Sequence, residues 1–455
     1  MSSVRLTLDP APRPATTPSQ AGSIRSRPDG IAPFDSLRAS ASGAREANTL
    51  LRVDPIRNPY APGAGQRPPE LAGRDEQLKT FEVVLERIAR GRPERSIVLT
   101  GLRGVGKTVL LNALRGAAVR AGWGSGKFEA RPEQGLRRPI SAALHVAVRE
   151  LGHPQPDEVD QVLGVIKAFA LRDAPANAKL REKWQPGIDA PAQTGRADSG
   201  DIEIDLVELL TDVGGLAADV GKGVAIFIDE MQDLGAEDIS ALCAACHEIS
   251  QNGLPVIVVG AGLPHLPAVL SASKSYSERL FRYTRIDRLD RDSAVQALQS
   301  PARDEDGEWD DAALDAMYLA TGGYPYFIQA YGKVAWDIAP RSPITADDVT
   351  VAGPEAEEEL GVGFFGSRFE RATPGEREYL RAMADVAAEL FAAGEELDDS
   401  ESVPTAAVAK HLGRRPQSLS PARDGLLKKG LIYSGERGRI AFTVPHFGKY
   451  LRNSA

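Results

Sequence analysis

Gly101-Leu102-Arg103-Gly104-Val105-Gly106-Lys107-Thr108 follows the apolar run Ile97-Val98-Leu99. It matches G-x-x-x-x-G-K-[ST] at every fixed position. Glycines at this spacing let the backbone curl until its N–H groups converge on phosphate oxygens. A helix opening at Lys107, with Val109 in its first turn, adds a positive N-terminal end. Lys107 is placed to bridge the outer phosphates, and Thr108 to give its hydroxyl oxygen to magnesium. The expected ligands are ATP or ADP with Mg2+. A second constellation is Val224-Ala225-Ile226-Phe227-Ile228-Asp229-Glu230. Apolar strand residues run into two carboxylates. Asp229 at the strand tip completes a magnesium shell. Glu230 is placed to polarise an attacking water. Gln232 suits either γ-phosphate sensing or capping of the next helix.

These residues need a sheet edge to stand on. Residues 96–100, 223–230, 254–262 and 283–289 read as strands, and 107–120 and 202–220 as helices. Buried apolar strands alternating with helices imply an α/β fold with a parallel sheet covered on both faces. The segment 172–201 lacks periodicity and reads as a mobile insertion. After Asp290 the strands stop, and 291–302, 310–320, 325–338 and 345–359 read as helices. From Pro374 three helices precede two alternating strands around a Gly-flanked turn, the plan of a winged helix-turn-helix. The expected organisation is a disordered tail over 1–57, an α/β core over 58–289, a helical lid over 290–370 and a winged helix over 371–455.

The stretches PELAGRDEQL, GLRGVGKT and FIDEMQDL, with the terminal winged helix, resemble the origin-recognition-like branch of AAA+ P-loop ATPases, and overlap with the STAND switch ATPases. The resemblance covers residues 58–455. It implies a P-loop NTPase core that hydrolyses ATP, with Gly73 and Arg74 beside the adenine. It implies an arginine finger at SYSERLFRY, Arg279 first and Arg282 second, acting in cis or from a neighbouring copy. Two departures bear on mechanism. The strand that ends such sites in a polar residue ends here at Gly260 and Ala261, so slow turnover is expected. Near Tyr326 and Gln329 there is no sensor arginine. Gly323 and Pro325 instead resemble the Gly-x-Pro element of STAND proteins, which packs on the nucleotide base. Pro325 also suits the first position of a helix.

Composition bounds the remaining readings. The 455 residues carry a net charge of −9, yet Pro404–Ala455 holds ten Lys/Arg against two acids, a balance of +8. Arg414, Arg415, Ser418, Ser420 and Arg423 fall at or in the recognition helix, and Arg437 and Arg439 in the wing. Such cations would neutralise the phosphates of double-stranded DNA. The first reading is ATP-controlled DNA binding. The alternative is a signalling or defence switch that recruits a protein partner or a second copy without DNA. No span of about 20 apolar residues is present, and the N-terminus has no apolar leader, so a cytoplasmic location and no membrane partner are expected. Cys243-Ala-Ala-Cys246-His247 has the c-type haem attachment spacing. Without an export signal, both thiols are expected on a buried helix face and no haem is expected.

Overall fold

The computed structural model describes residues 53–63, 66, 68, 70–173 and 187–453. Most of the expected N-terminal tail lies outside the described residues. The chain is already ordered at Val53, which is buried, and Pro55–Arg57 form one 3-10 turn.

Five strands form the central sheet: β1 (Ser96–Thr100), β2 (Gly124–Glu129), β3 (Val224–Asp229), β4 (Val256–Gly262) and β5 (Phe281–Arg285). They are all parallel, in the order β2-β3-β4-β1-β5. Alternate side chains separate two apolar layers, as the strand period of 2 demands. Ile97, Leu99, Ala225, Phe227, Ile257 and Val259 enter one layer. Val98, Val224, Ile226, Ile228, Val256 and Val258 enter the other.

The sequence reading missed β2 (Gly-Ser-Gly-Lys-Phe-Glu). Its glycines have low strand propensity, but close packing needs them. A Cβ on Gly126 would meet the Ala143 Cβ at 2.8 Å. Helix Arg137–Glu150 lies that close, with Pro156–Leu171 behind it. The insertion is partly outside the described residues. Its described end is held in place: Asp205, fully buried, takes Arg137 Nη2 at 2.8 Å and Ser199 Oγ at 2.7 Å.

Cys243 and Cys246 lie buried in helix Ala236–Gln251. Burial pushes their thiols up to about 11 and about 12, which keeps them protonated and unreactive.

Four helices follow the sheet: Arg291–Asp304, Asp311–Thr321, Pro325–Ile338 and Ala346–Glu359. A π-helical stretch, Leu360–Gly366, joins them to the C-terminal module. That module has helices Pro374–Ala392, Thr405–His411 and Pro416–Lys428. Its strands β6 (Val403–Pro404), β7 (Ile432–Tyr433) and β8 (Arg439–Phe442) make an antiparallel sheet in the order β6-β8-β7.

One apolar cluster runs from the sheet through the four helices into this module. The described residues pack as one compact unit. Segment 53–63 is strapped onto the four helices. Tyr60 donates to Leu298 O at 2.5 Å and accepts from Trp309 Nε1 at 2.7 Å. Among the described residues, no helix is long and apolar enough to cross a membrane.

Candidate nucleotide-binding site

The phosphate loop leaves β1 at the C-terminal edge of the sheet and feeds helix Lys107–Arg120. Gly104 and Gly106 have φ of 86° and 90°. An L side chain pays for that left-handed conformation, so the loop's shape depends on these two glycines. Beside the loop opens a cleft of about 660 Å³. Its walls are the loop, the tip of β3, the start of helix Pro325–Ile338 and the stretch 363–371.

Of the residues expected to hold nucleotide, Arg103, Gly104, Gly106, Lys107, Thr108, Val109 and Pro325 line the cleft. Lys107 is 7% exposed. Its ammonium donates to Gly101 O at 2.9 Å and Leu102 O at 2.8 Å. Burial pulls its pKa down to about 8, and neighbouring Glu230 and Asp229 oppose that shift. Asp229, 6% exposed, has Lys127 Nζ at 3.6 Å. Glu230 sits at φ 48°, ψ 43°, a left-handed conformation costly for a branched-off side chain and typical of functional turns.

Several expected residues stand elsewhere. Gly101, Leu102 and Val105 do not line the cleft; Val105 is buried in the core. Arg74 is buried and turned inward. Its Nη2 donates to Asp287 O at 2.6 Å and Val105 O at 3.3 Å, so it braces the loop from behind. Gly73 packs on Ser293. The strap residues Ala61, Pro62 and Gly63 line the cleft instead, with Gln66, Pro68 and Gln329. Gly323 (φ 76°) accepts from Leu289 N at 2.8 Å and pins the helical segment to the core, away from the cleft.

Arg279 lies in Ser277–Leu280, just before β5. In a parallel sheet that is the edge opposite the phosphate loop. The five residues of β5 put about 16 Å between the two edges. Arg279 is exposed and cannot reach this chain's own cleft, and neither can exposed Arg282. The cis role is thereby excluded.

Two cations were missed. Arg368 and Arg371 line the cleft from the stretch after the π-helix. Arg368 stands over the Phe364 ring at 4.2 Å and donates to Phe364 O. Burial draws its pKa down to about 10, so it stays charged at neutral pH. Phe364 in turn stacks on Tyr326 at 4.5 Å. No local motif marks Arg368. The unmatched aromatic pair Phe364-Phe365 was the available signal.

The end of β4 is covered by a side chain from another strand's turn. A Cβ on Gly262 would meet Gln232 Oε1 at 2.6 Å. Gln232 fills the space over the strand end. It accepts from Leu263 N at 3.0 Å and donates to Glu230 Oε2 at 2.6 Å.

The loop touches both flanking segments. Gly104 O accepts from Tyr326 N at 3.2 Å, and Arg103 N donates to Thr443 O at 2.8 Å. Further links to the C-terminal module are the His265–Tyr433 stack at 5.6 Å and Arg288–Asp399 at 3.5 Å.

Many basic side chains of that module are engaged. Arg414 forks onto Glu378 at 2.9 and 3.0 Å. Arg423 meets Asp424 at 3.2 Å, and Arg439 donates to Ser402 O at 2.6 Å. Ser418 Oγ donates to Arg415 O at 2.7 Å. Over 371–455 the 13 Lys/Arg face 11 Asp/Glu. The +8 of the last segment therefore falls to +2 over 371–455 as a whole.

Comparison with known proteins agrees with this site. Residues 70–259 match the AAA ATPase domain model, and 362–451 match a domain of unknown function, DUF8462. Residues 70–259 thus carry an AAA ATPase domain, the phosphate-loop domain of an ATP-hydrolysing enzyme. No curated protein matches its sequence. Among solved structures it is similar to the Walker-type ATPase PABY2304 of Pyrococcus abyssi, at 16% identity and a TM-score of 0.48, over 85% of this chain and 97% of that one. It is similar to Cdc6p from Pyrobaculum aerophilum, at 15% and 0.42, over 89% and 99%. The RuvB Holliday junction branch migration motor of Thermotoga maritima is similar at 18% and 0.39, over 83% and 96%.

Proposed function

We propose that this ATPase is a nucleotide-controlled switch with slow turnover, whose C-terminal module, read as a winged helix-turn-helix, moves with the nucleotide state. The observation that carries the reading is the double contact of the phosphate loop. Gly104 O is bonded to the helical segment and Arg103 N to the C-terminal module. A γ-phosphate entering beside these residues meets both segments at once. Only contacts that differ between ATP and ADP can shift such an equilibrium.

In this reading Lys107 and Arg368 neutralise the phosphates from opposite walls, and the amides of the loop hold the β-phosphate. Thr108 and Asp229 supply oxygen donors on the same wall, a set that suits Mg2+. The metal would draw charge from the β- and γ-oxygens. Glu230 orients the water for in-line attack and takes its proton. Turnover is slow because both Glu230 oxygens are engaged and β4 offers no polar side chain. Arg279 faces outward, where it would serve the cleft of a neighbouring copy.

Duplex DNA is the effector suggested by the basic end of the chain. Of the arginines expected to meet DNA, Arg415 and Arg437 make no ion pair or side-chain hydrogen bond among the described residues and are free to meet phosphate; exposed Lys410 and Lys428 are likewise unpaired there. The internal pairing of Arg414, Arg423 and Arg439 favours the second reading, a protein partner. The test is anisotropy of labelled duplex across a salt series, with Mg2+ and either ATP or ADP, using Glu230→Gln to preserve ATP. Salt-sensitive binding that differs between nucleotides supports DNA. No binding at low salt in either state overturns the DNA reading. Equal protection of the hairpin 432–442 from hydrogen exchange in both states overturns the switch.

A further inference from the structure

Arg103 belongs to the phosphate loop, yet its side chain serves neighbours rather than the loop. Its Nη1 lies 3.3 Å from Glu230 Oε1. Its Nε is buried without a hydrogen-bond partner. Its backbone N–H donates to Thr443 O. Gly430 packs so close that a Cβ there would meet Arg103 Nη2 at 3.1 Å. One residue thus touches the C-terminal module at two places and the water-orienting carboxylate at a third. The other Glu230 oxygen is taken by Gln232.

We propose that Arg103 is a positioning residue that holds Glu230 in an unreactive pose while the C-terminal module is docked, so that undocking accelerates hydrolysis. The inference rests on the switch reading above and adds the reverse direction of control: the module governs the chemistry.

The contact fixes Oε1 toward Arg103 instead of toward a water. Arg103 keeps that pose because Thr443 holds its backbone and Gly430 packs beside its guanidinium. When the module leaves, these contacts go, the guanidinium turns to solvent or to phosphate, and Oε1 is released. Linkage requires reciprocity in binding: whatever favours the free module favours the released glutamate.

The experiment uses the full chain and steady-state ATP hydrolysis. Arg103→Gln is expected to raise kcat about tenfold, the ordinary size of such a coupling, with a smaller change in KM. Arg103→Lys, keeping the charge without the fork, is expected to restore part of the suppression. A purely structural role would not give a gain in Arg103→Gln that Arg103→Lys partly reverses. Asp399→Arg, which breaks the contact with Arg288 far from the chemistry, is expected to raise kcat in the wild-type background and to add nothing in Arg103→Gln.

An unchanged or lower kcat in Arg103→Gln overturns the proposal, as does an equal gain from Asp399→Arg in both backgrounds. Hydrogen exchange of the hairpin separates this failure from that of the switch. A hairpin that responds to nucleotide while Arg103→Gln gains nothing sinks only the inference. A hairpin that never responds sinks the switch itself.

Discussion

The phosphate loop and the C-terminal module are both rich in cations, and they use them in opposite ways. In the cleft, Lys107 donates to two carbonyls and Arg368 lies against an aromatic face. Neither is neutralised by a direct ion pair, and burial lowers the pKa of both. Their charge is concentrated and available. In the module, Arg414 and Arg423 face carboxylates and Arg439 a carbonyl. An exposed pair of this kind is worth about 0–1 kcal/mol to the fold, but it removes a cation from the surface potential. A count of charges along a sequence thus says little about a binding face until the pairing is known.

The comparison breaks most visibly at Lys107. Lys107→Ala should weaken ATP binding at least about 100-fold, or about 2.7 kcal/mol, measured by titration calorimetry. Retained affinity would mean that the cleft holds something else. Next is Glu230→Gln, expected to lower kcat about 100-fold with ATP affinity preserved, read by single-turnover hydrolysis.

Arg368→Ala should lower ATP affinity about tenfold, since a hydrogen bond from a cation is worth about 1.5–3 kcal/mol. An effect that is the same for ADP would show that Arg368 does not reach the γ-phosphate. Protonation gives a similar handle. The empty-site Lys107 has a pKa of about 8, and binding an anion raises it. ATP affinity should therefore be full below pH 8 and fall toward tenfold per unit above it. Proton uptake on binding near pH 8.5 is the calorimetric signature.

The smallest effects belong to the C-terminal module. If duplex DNA binds, removing Arg415 and Arg437 together should flatten the log–log salt slope by about 2. Arg414→Ala should leave that slope unchanged, because its fork is already engaged. An equal loss from Arg414→Ala would erase the distinction between free and paired cations.

How far each region was legible follows from the range over which its residues interact. The loop 101–108 and the tip at Asp229 are local motifs, where spacing along the chain is spacing in the site. Helix Pro325–Ile338 was read to the residue because Pro starts it and its apolar period is regular. Strand β2 was missed because its glycines answer to helix Arg137–Glu150, whose approach no local window contains. Arg74 sits in a recognisable motif, but its side chain follows a carbonyl supplied by Asp287. Gly260 and Ala261 signalled a missing side chain, and the space at the end of their strand is filled by Gln232, from the turn after another strand.

By itself the sequence determined that a triphosphate cradle stands on a parallel sheet, because backbone curvature at glycine and a helix N-terminus are properties of consecutive residues. The tertiary structure alone decided which cations face that cradle. It brought Arg368 to the cleft, turned Arg74 inward, left Arg279 at the far edge, and set Arg103 between Glu230 and the C-terminal module. Electrostatic energy depends on distance and burial, and neither is written in the order of residues.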